Sequence, residues 1–299
     1  MRENSSDGEK SEIMTDPATR AVALKWDVFV APAIPVVASD LPPDAKQRLW
    51  SPISSTLISG RRDAVLVDAL LTVQQAEALV GWVAASGKNL TTIYATHGHG
   101  DHFFGAGIVL ARFPRARFVA TPAVIQKMRQ RIAPDVVASY KGLFPDQIPE
   151  RLVIAEPLES GALTLEGQEL AVVPLGHTDT NDTTCLHVPS IGLVIAGDAA
   201  YNDVHLYLAE SNRESRREWI AALDTIESLR PRAVVAGHKR ADRDDDPRII
   251  EETRQYIRDF DRIAETAQTA VELYEQMLAL HTHRVNPGML WASARAIKG

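Results

Sequence analysis

Apolar and polar positions along this chain follow two periods in turn. Residues 50–71, WSPISSTLISGRRDAVLVDALL, read as two strands around a Gly-Arg-Arg-Asp turn, the second ending at Asp68. The next segment spaces Val73, Ala76, Leu79, Val80 and Val83 on one helical face before Gly87 stops it. A strand, LTTIYAT, follows, then a helix from about Phe103 to Phe113, a strand ARFVA and a helix from Pro122. Residues 133–149, with three prolines, predict an irregular stretch suited to a lid or substrate loop. From Leu152 the short runs LVIA, ALTL, QELAVVPL, TTCLHVP and IGLVIAGD predict a meander of strands. A helix over RESRREWIAALDTIESL then leads to the apolar strand AVVAG, and residues 246–280 are helical for most of their length. Strands and helices in this order, twice over, predict two sheets packed face to face with helices outside.

Composition narrows the class. A chain of 299 residues with 45% hydrophobic content has material for one large domain or two tightly joined halves. Its net charge of −7 and lack of a basic block argue against a nucleic-acid partner. Residues 1–20 are polar and without the apolar core of a secretory signal, so they predict a loosely attached tail before a single domain over 21–299 with a C-terminal helical extension. The run VFVAPAIPVVA from Val28 is broken by Pro32 and Pro35 and reads as extended chain packing on the core, and no run is long enough to cross a membrane. The one cysteine, Cys185, cannot form an internal disulfide, and no Cys-x-x-Cys pair is present to hold a structural zinc. The expectation is a cytoplasmic protein acting on a small molecule, with neither membrane nor nucleic acid as partner.

The stretch THGHGDH, residues 96–102, places three of nine histidines and a carboxylate directly after an apolar strand. Side chains two apart on extended chain point the same way, so His97 and His99 can converge on one ion while Asp101 and His102 turn toward another. A His and Asp donor set leaves room for water and suggests a catalytic rather than a closed structural site. Three more potential ligands each follow an apolar strand: His177 in VVPLGHTDT, Asp198 in GLVIAGDAAY and His238 in AVVAGHKR.

Taken in order, HGHGDH, GHT, GD and GH resemble the metallo-β-lactamase fold superfamily, over about residues 50–240. The resemblance implies a four-layer αβ/βα sandwich with metals at one edge. It also implies a ligand set: His97, His99 and His177 on the first metal, Asp101, His102 and His238 on the second, and Asp198 bridging. Two zinc ions, with iron or manganese as alternatives, would share a water and supply hydroxide near neutral pH. Asp101 would orient that hydroxide or pass its proton to the leaving group. Asp68, Thr178 and Asp179 are expected to hydrogen-bond ligand imidazoles.

Departures from family branches guide the choice of substrate. His99 stands where diiron flavoprotein members usually carry Glu, Cys185 lies mid-strand rather than at Asp198, and no export signal of a secreted β-lactamase is visible. Tyr201, three residues after Asp198, is similar in placement to the tyrosine of acyl-homoserine lactonases, where the hydroxyl assists the substrate carbonyl as an oxyanion-type donor; plain packing is the alternative. A helical turn would set Asp198, Tyr201 and His205 along one face, with His205 at the substrate mouth as proton relay or polar anchor, or simply as a hydrogen-bonded histidine. The leading expectation is a dinuclear zinc hydrolase that opens a lactone or cleaves a related carboxylic ester. The alternatives are a thioester hydrolase like glyoxalase II, a β-lactam hydrolase, or a mononuclear-iron oxidoreductase like persulfide dioxygenase. Pairing of related lactonases makes a homodimer an expectation by analogy.

Overall fold

The computed structural model describes residues 23–299. The polar segment 1–20 lies outside the described residues. In chain order, β1 (Lys25–Ala31) opens the first sheet, and β2 (Ile34–Val36) and β3 (Arg48–Trp50) pair as a separate antiparallel ribbon. β4 (Ile53–Ser59), β5 (Asp63–Val67), β6 (Asn89–Tyr94), β7 (Arg117–Ala120) and β8 (Glu156–Pro157) complete the sheet in the order β1-β4-β5-β6-β7-β8. Its helices are α1 (Val73–Ala85), α2 (Gly100–Phe103), α3 (Ala106–Arg112), α4 (Pro122–Arg131) and α5 (Pro134–Leu143). The second sheet runs β13-β12-β11-β10-β9, from β9 (Ala162–Leu165), β10 (Gln168–Gly176), β11 (Thr183–Val188), β12 (Leu193–Asn202) and β13 (Ala233–Lys239). With it go α6 (Arg213–Ser228), α7 (Ile249–Thr266), α8 (Ala270–Leu280) and α9 (Pro287–Lys298).

Burial explains the layering. β4, β12 and β13 are buried at every position, which is why their sequences are almost unbroken apolar or small residues. Between the sheets, Val65, Val67, Tyr94 and Val119 of the first meet Leu170, Leu186, Leu193 and Val235 of the second. Outside the first sheet, Leu66, Ile93 and Phe118 pack with Leu79, Val109 and Met128 of its helices. Outside the second, Val194, Ala196 and Val234 pack with Trp219, Ile257 and Leu273. The result is helix, sheet, sheet, helix: the expected αβ/βα sandwich. Helix starts are fixed locally, as at Thr72, whose hydroxyl accepts from Gln75 N–H while the Gln75 side chain accepts from Thr72 N–H.

Two expected elements differ. Residues 134–143 are helical rather than irregular, because Pro134 occupies the first helical turn of α5, where a missing N–H costs nothing, and only 144–149 stay irregular. The run LVIA at 152–155 forms no strand; Leu152, Val153 and Ile154 instead pack sideways on the helix-side core, and pairing is limited to the two residues of β8. Residues 246–280 are helical for most of their length, as expected, in two helices: Ala267 turns extended at ψ 133°, and Thr269 caps α8 afresh. Among the described residues, no helix is long and apolar enough to cross a membrane.

Candidate metal centre

Chain ends of β6, β10, β12 and β13 meet at one edge of the sandwich, and all seven expected ligands lie buried there. Two donor groups form. His97, His99, Asp179 and Asp198 bring one ligand atom each to within 4.8 Å of one another, and Asp101, His102 and His238 do the same. Asp198 belongs to the first group and reaches the second: Oδ1 lies 3.2 Å from His102 Nε2 and Oδ2 3.1 Å from His238 Nε2. That placement matches a carboxylate shared between two ions.

The histidines are aimed from behind. His102 Nδ1 donates to Asp68 Oδ2 (2.9 Å), His238 Nδ1 to the Pro52 carbonyl (2.7 Å), His177 Nδ1 to Asn181 Oδ1 (2.8 Å) and His99 Nε2 to Glu210 Oε1 (3.3 Å). His97 Nδ1 pairs with the Thr96 hydroxyl at 3.0 Å, which itself donates to Asp68. Each ring thus has one nitrogen engaged by an outer partner and the other turned toward the donor cluster, the arrangement a metal ligand needs. The left-over Nε2 atoms of His97, His102 and His177 are buried and make no hydrogen bond. Buried, unpaired imidazole nitrogens facing carboxylates fit a pair of divalent cations.

Two backbone features permit the crowding. Position 237 admits only glycine, because a Cβ there would stand 2.2 Å from Asp198 Oδ1 and 3.0 Å from His102 Cε1. Asp68 sits at φ 62°, a left-handed conformation that short polar residues tolerate best, and its carboxylate accepts the Thr96 N–H as well as serving His102.

Charge is organised accordingly. Burial opposes ionisation of His102, but Asp198, Asp68 and Asp101 outweigh it and hold the ring's pKa well above its ordinary value. Burial likewise opposes His99, and Asp179 with Glu210 raises it to about 10. Asp198 is held well below the carboxylate range: His238 and His102 overcome its burial. His97 moves down, driven by burial and then by its cationic neighbour His102. The centre is therefore a strongly anionic pocket able to accept positive charge.

His177 stands apart from the close-packed group of four. Its place there is taken by Asp179, whose Oδ2 lies 2.6 Å from His99 Nδ1 and 3.5 Å from His97 Nε2. The expected role of Asp179 is only to orient an imidazole, and it reaches the donor cluster itself.

Tyr201 borders the cavity but its hydroxyl donates to Asp198 Oδ2 at 2.9 Å, and its ring stacks on His238 with centroids 5.3 Å apart. The expected orientation toward a substrate carbonyl is therefore replaced by a bond to the shared carboxylate. His205 is corrected outright. The chain from Asp198 to Tyr201 is strand, not helix, so the spacing that would align the three residues does not apply. His205 is fully buried beside Tyr256, with Nδ1 2.9 Å from that hydroxyl, and it does not line the cavity. Flanking Val204 and Leu206, both fully buried, are the available signal.

A cavity of about 400 Å3 opens over the metal donors. Asp101, Asp198 and His238 form its floor, while Trp50, Tyr140, Tyr207, Leu143 and Met289 supply apolar wall. α5 gives one side, and α9 of the C-terminal extension gives another through Met289 and Ala292. Trp50 was not foreseen: its indole N–H donates to Asp101 Oδ2 at 3.0 Å while its ring packs edge-on to Phe144. Glu210, also unforeseen, joins His99 to Arg131. Neither carries a local motif.

A family model described as the metallo-beta-lactamase superfamily matches residues 48–238. No curated protein matches the chain. Among solved structures, a metallo-beta-lactamase family protein of Thermus thermophilus is similar at TM-score 0.61 and 19% identity, covering 90% of this chain and 91% of that one. A metallo-beta-lactamase from Pontibacter korlensis is similar at 0.53 and 15%, covering 78% and 99%. The structure of VMB-1 at pH 5.5 is similar at 0.54 and 18%, covering 79% and 96%. At these identities the likeness carries the fold.

Proposed function

This chain belongs to the metallo-beta-lactamase superfamily, largely metal-dependent hydrolases, and from that premise we propose that it is a dinuclear zinc hydrolase that opens a lactone or cleaves a related carboxylic ester. The observation that carries the reading is a complete pair of His and Asp donor groups at the floor of an apolar, aromatic-walled cavity. Completeness of both groups favours two ions over the one of a mononuclear oxidoreductase. His97, His99 and His177, with Asp179 beside them, would hold one ion, and Asp101, His102 and His238 the other, with Asp198 between. Bound there, such ions supply Lewis acidity and a water acidic enough to lose its proton near neutral pH.

The residues do the rest. The aromatic walls hold the acyl or alkyl body and exclude water from it. Asp101, with Oδ2 fixed by the Trp50 indole, has Oδ1 free to take a proton and return it to the leaving alkoxide oxygen. Tyr201 acts through Asp198, holding one of its oxygens in place. The iron and manganese alternatives use the same donors.

The test is elemental analysis of the purified protein together with hydrolysis of lactones, aryl esters, thioesters and a cephalosporin. About two zinc ions per chain with lactone or ester turnover is the expected result. One iron with no hydrolysis of any member would overturn the reading and point to sulfur oxidation. Turnover confined to thioesters or to the cephalosporin would replace it with that activity.

A further inference from the structure

Two arginines line the cavity, and they differ in what balances them. Arg131, on α4, is paired: its guanidinium lies 3.2 Å from Glu210 Oε1. Arg48, on β3, has no ion pair among the described residues, and its Nε is buried with no hydrogen-bond partner. Asp40 is close enough to favour its charge, yet Asp40 Oδ1 is already taken by the Trp291 indole at 2.9 Å and by Arg295 at 3.4 Å. Tyr207, the other neighbour, is neutral, because burial raises its hydroxyl pKa. Burial pulls on Arg48 as well, but a guanidinium does not deprotonate in proteins, so the positive charge remains.

The stem of Arg48 is confined. A Cβ on Gly288, in the first turn of α9, would stand 3.0 Å from Arg48 Cγ, so the two segments pack at the closest approach a glycine allows. A half-buried, confined and unbalanced guanidinium facing a cavity is costly unless an anion completes it, and its planar fork suits a carboxylate better than a single point acceptor.

Resting on the hydrolase reading above, we propose that the substrate of this cavity carries a carboxylate remote from the scissile bond, and that Arg48 holds it. The apolar body spans Trp50, Tyr140 and Met289, and the scissile carbonyl lies at Asp101, Asp198 and His238. Arg48 is then a specificity determinant rather than a catalytic residue. It distinguishes charged from uncharged members of one ester or lactone class.

Two measurements on the full-length, metal-loaded protein test this. The first compares kcat/KM for matched ester pairs that differ only in a terminal carboxylate or its carboxamide. The native protein should prefer the carboxylate on the order of tenfold to a hundredfold, Arg48→Gln should bring the ratio near one, and Arg48→Lys should restore part of it. The second measures calorimetric binding of 4-phenylbutyrate and 4-phenylbutyramide, which needs no turnover. The acid should bind the native protein more tightly, and Arg48→Gln should close the gap while its thermal unfolding stays cooperative. An acid preference that survives Arg48→Gln, or no preference in the native protein, overturns the anchor. Absence of all ester turnover overturns the hydrolase reading alone, and the binding pair still decides the role of Arg48.

Discussion

At the sheet edge, His97, His99, His102, His177 and His238 are buried around Asp101, Asp179 and Asp198. Behind the end of β12, His205 and His281 are also buried, but their neighbours are Tyr256 and Arg284, whose guanidinium lies 4.8 Å over the Tyr256 ring, and a single carboxylate, Asp259, lies 3.4 Å from His281 Nε2 without outweighing them. Both groups contain ring nitrogens with no hydrogen-bond partner, His102 Nε2 in one and His205 Nε2 in the other. Unpaired nitrogen alone therefore does not mark a ligand. Carboxylates do: in the first group they outweigh burial and raise His99 and His102, whereas in the second burial and Arg284 lower His205 to about 3 and His281 to about 4. One environment attracts positive charge, and the other repels it.

The largest effect that could break this contrast is loss of metal. Asp198→Ala removes the carboxylate that belongs to one donor group and contacts the other, so bound metal should fall to one equivalent or less and hydrolysis on the order of a thousandfold or more. His205→Gln, measured alongside, should retain the full metal content. If the first variant kept its metal, or the second lost it, the two clusters would not differ as their charges indicate.

How much of this was legible beforehand follows from distance along the chain. Each expected ligand lies on an apolar strand or in the short segment that follows one, and Gly197 and Gly237 precede two of them because no side chain fits there, so the centre could be read from short windows. The pair of sheets was legible for the same reason. What was not legible depends on contacts between remote segments: Trp50 reaches Asp101 across 51 positions and Glu210 reaches His99 across 111. No periodicity encodes such meetings. His205 misled because the spacing of 198, 201 and 205 suits a helix, while pairing of Tyr201 and Asn202 with β13 keeps the start of that segment extended. Residues 133–149 misled through their prolines, since Pro134 begins a helix as readily as it ends one.

A smaller effect concerns Trp50, which belongs to the first environment although it carries no charge. Trp50→Phe keeps a ring against Phe144 and Tyr140 and removes only the N–H that donates to Asp101. A hydrogen bond to a carboxylate is worth about 1.5–3 kcal/mol, so kcat should fall on the order of tenfold to a hundredfold while metal content holds. A kcat equal to that of the native protein would mean that Asp101 needs no outer donor, and the ordering of the centre would rest on its histidines alone.

The smallest effect sharpens the second environment. A histidine with a depressed pKa stays neutral in the fold and takes its proton only when the chain unfolds. Between the ordinary value near 6.5 and the folded value of about 3, acid therefore favours the unfolded state through His205. Its contribution is complete above pH 6.5 and is lost as pH falls, by at most about 1.4 kcal/mol per pH unit. His205→Gln cannot take up that proton. Denaturant unfolding of both proteins should show native stability exceeding the variant's at about pH 7.5 and the gap narrowing steadily toward about pH 5. A gap that stays constant would mean that His205 takes up its proton as readily in the fold as out of it, and that its surroundings do not repel charge.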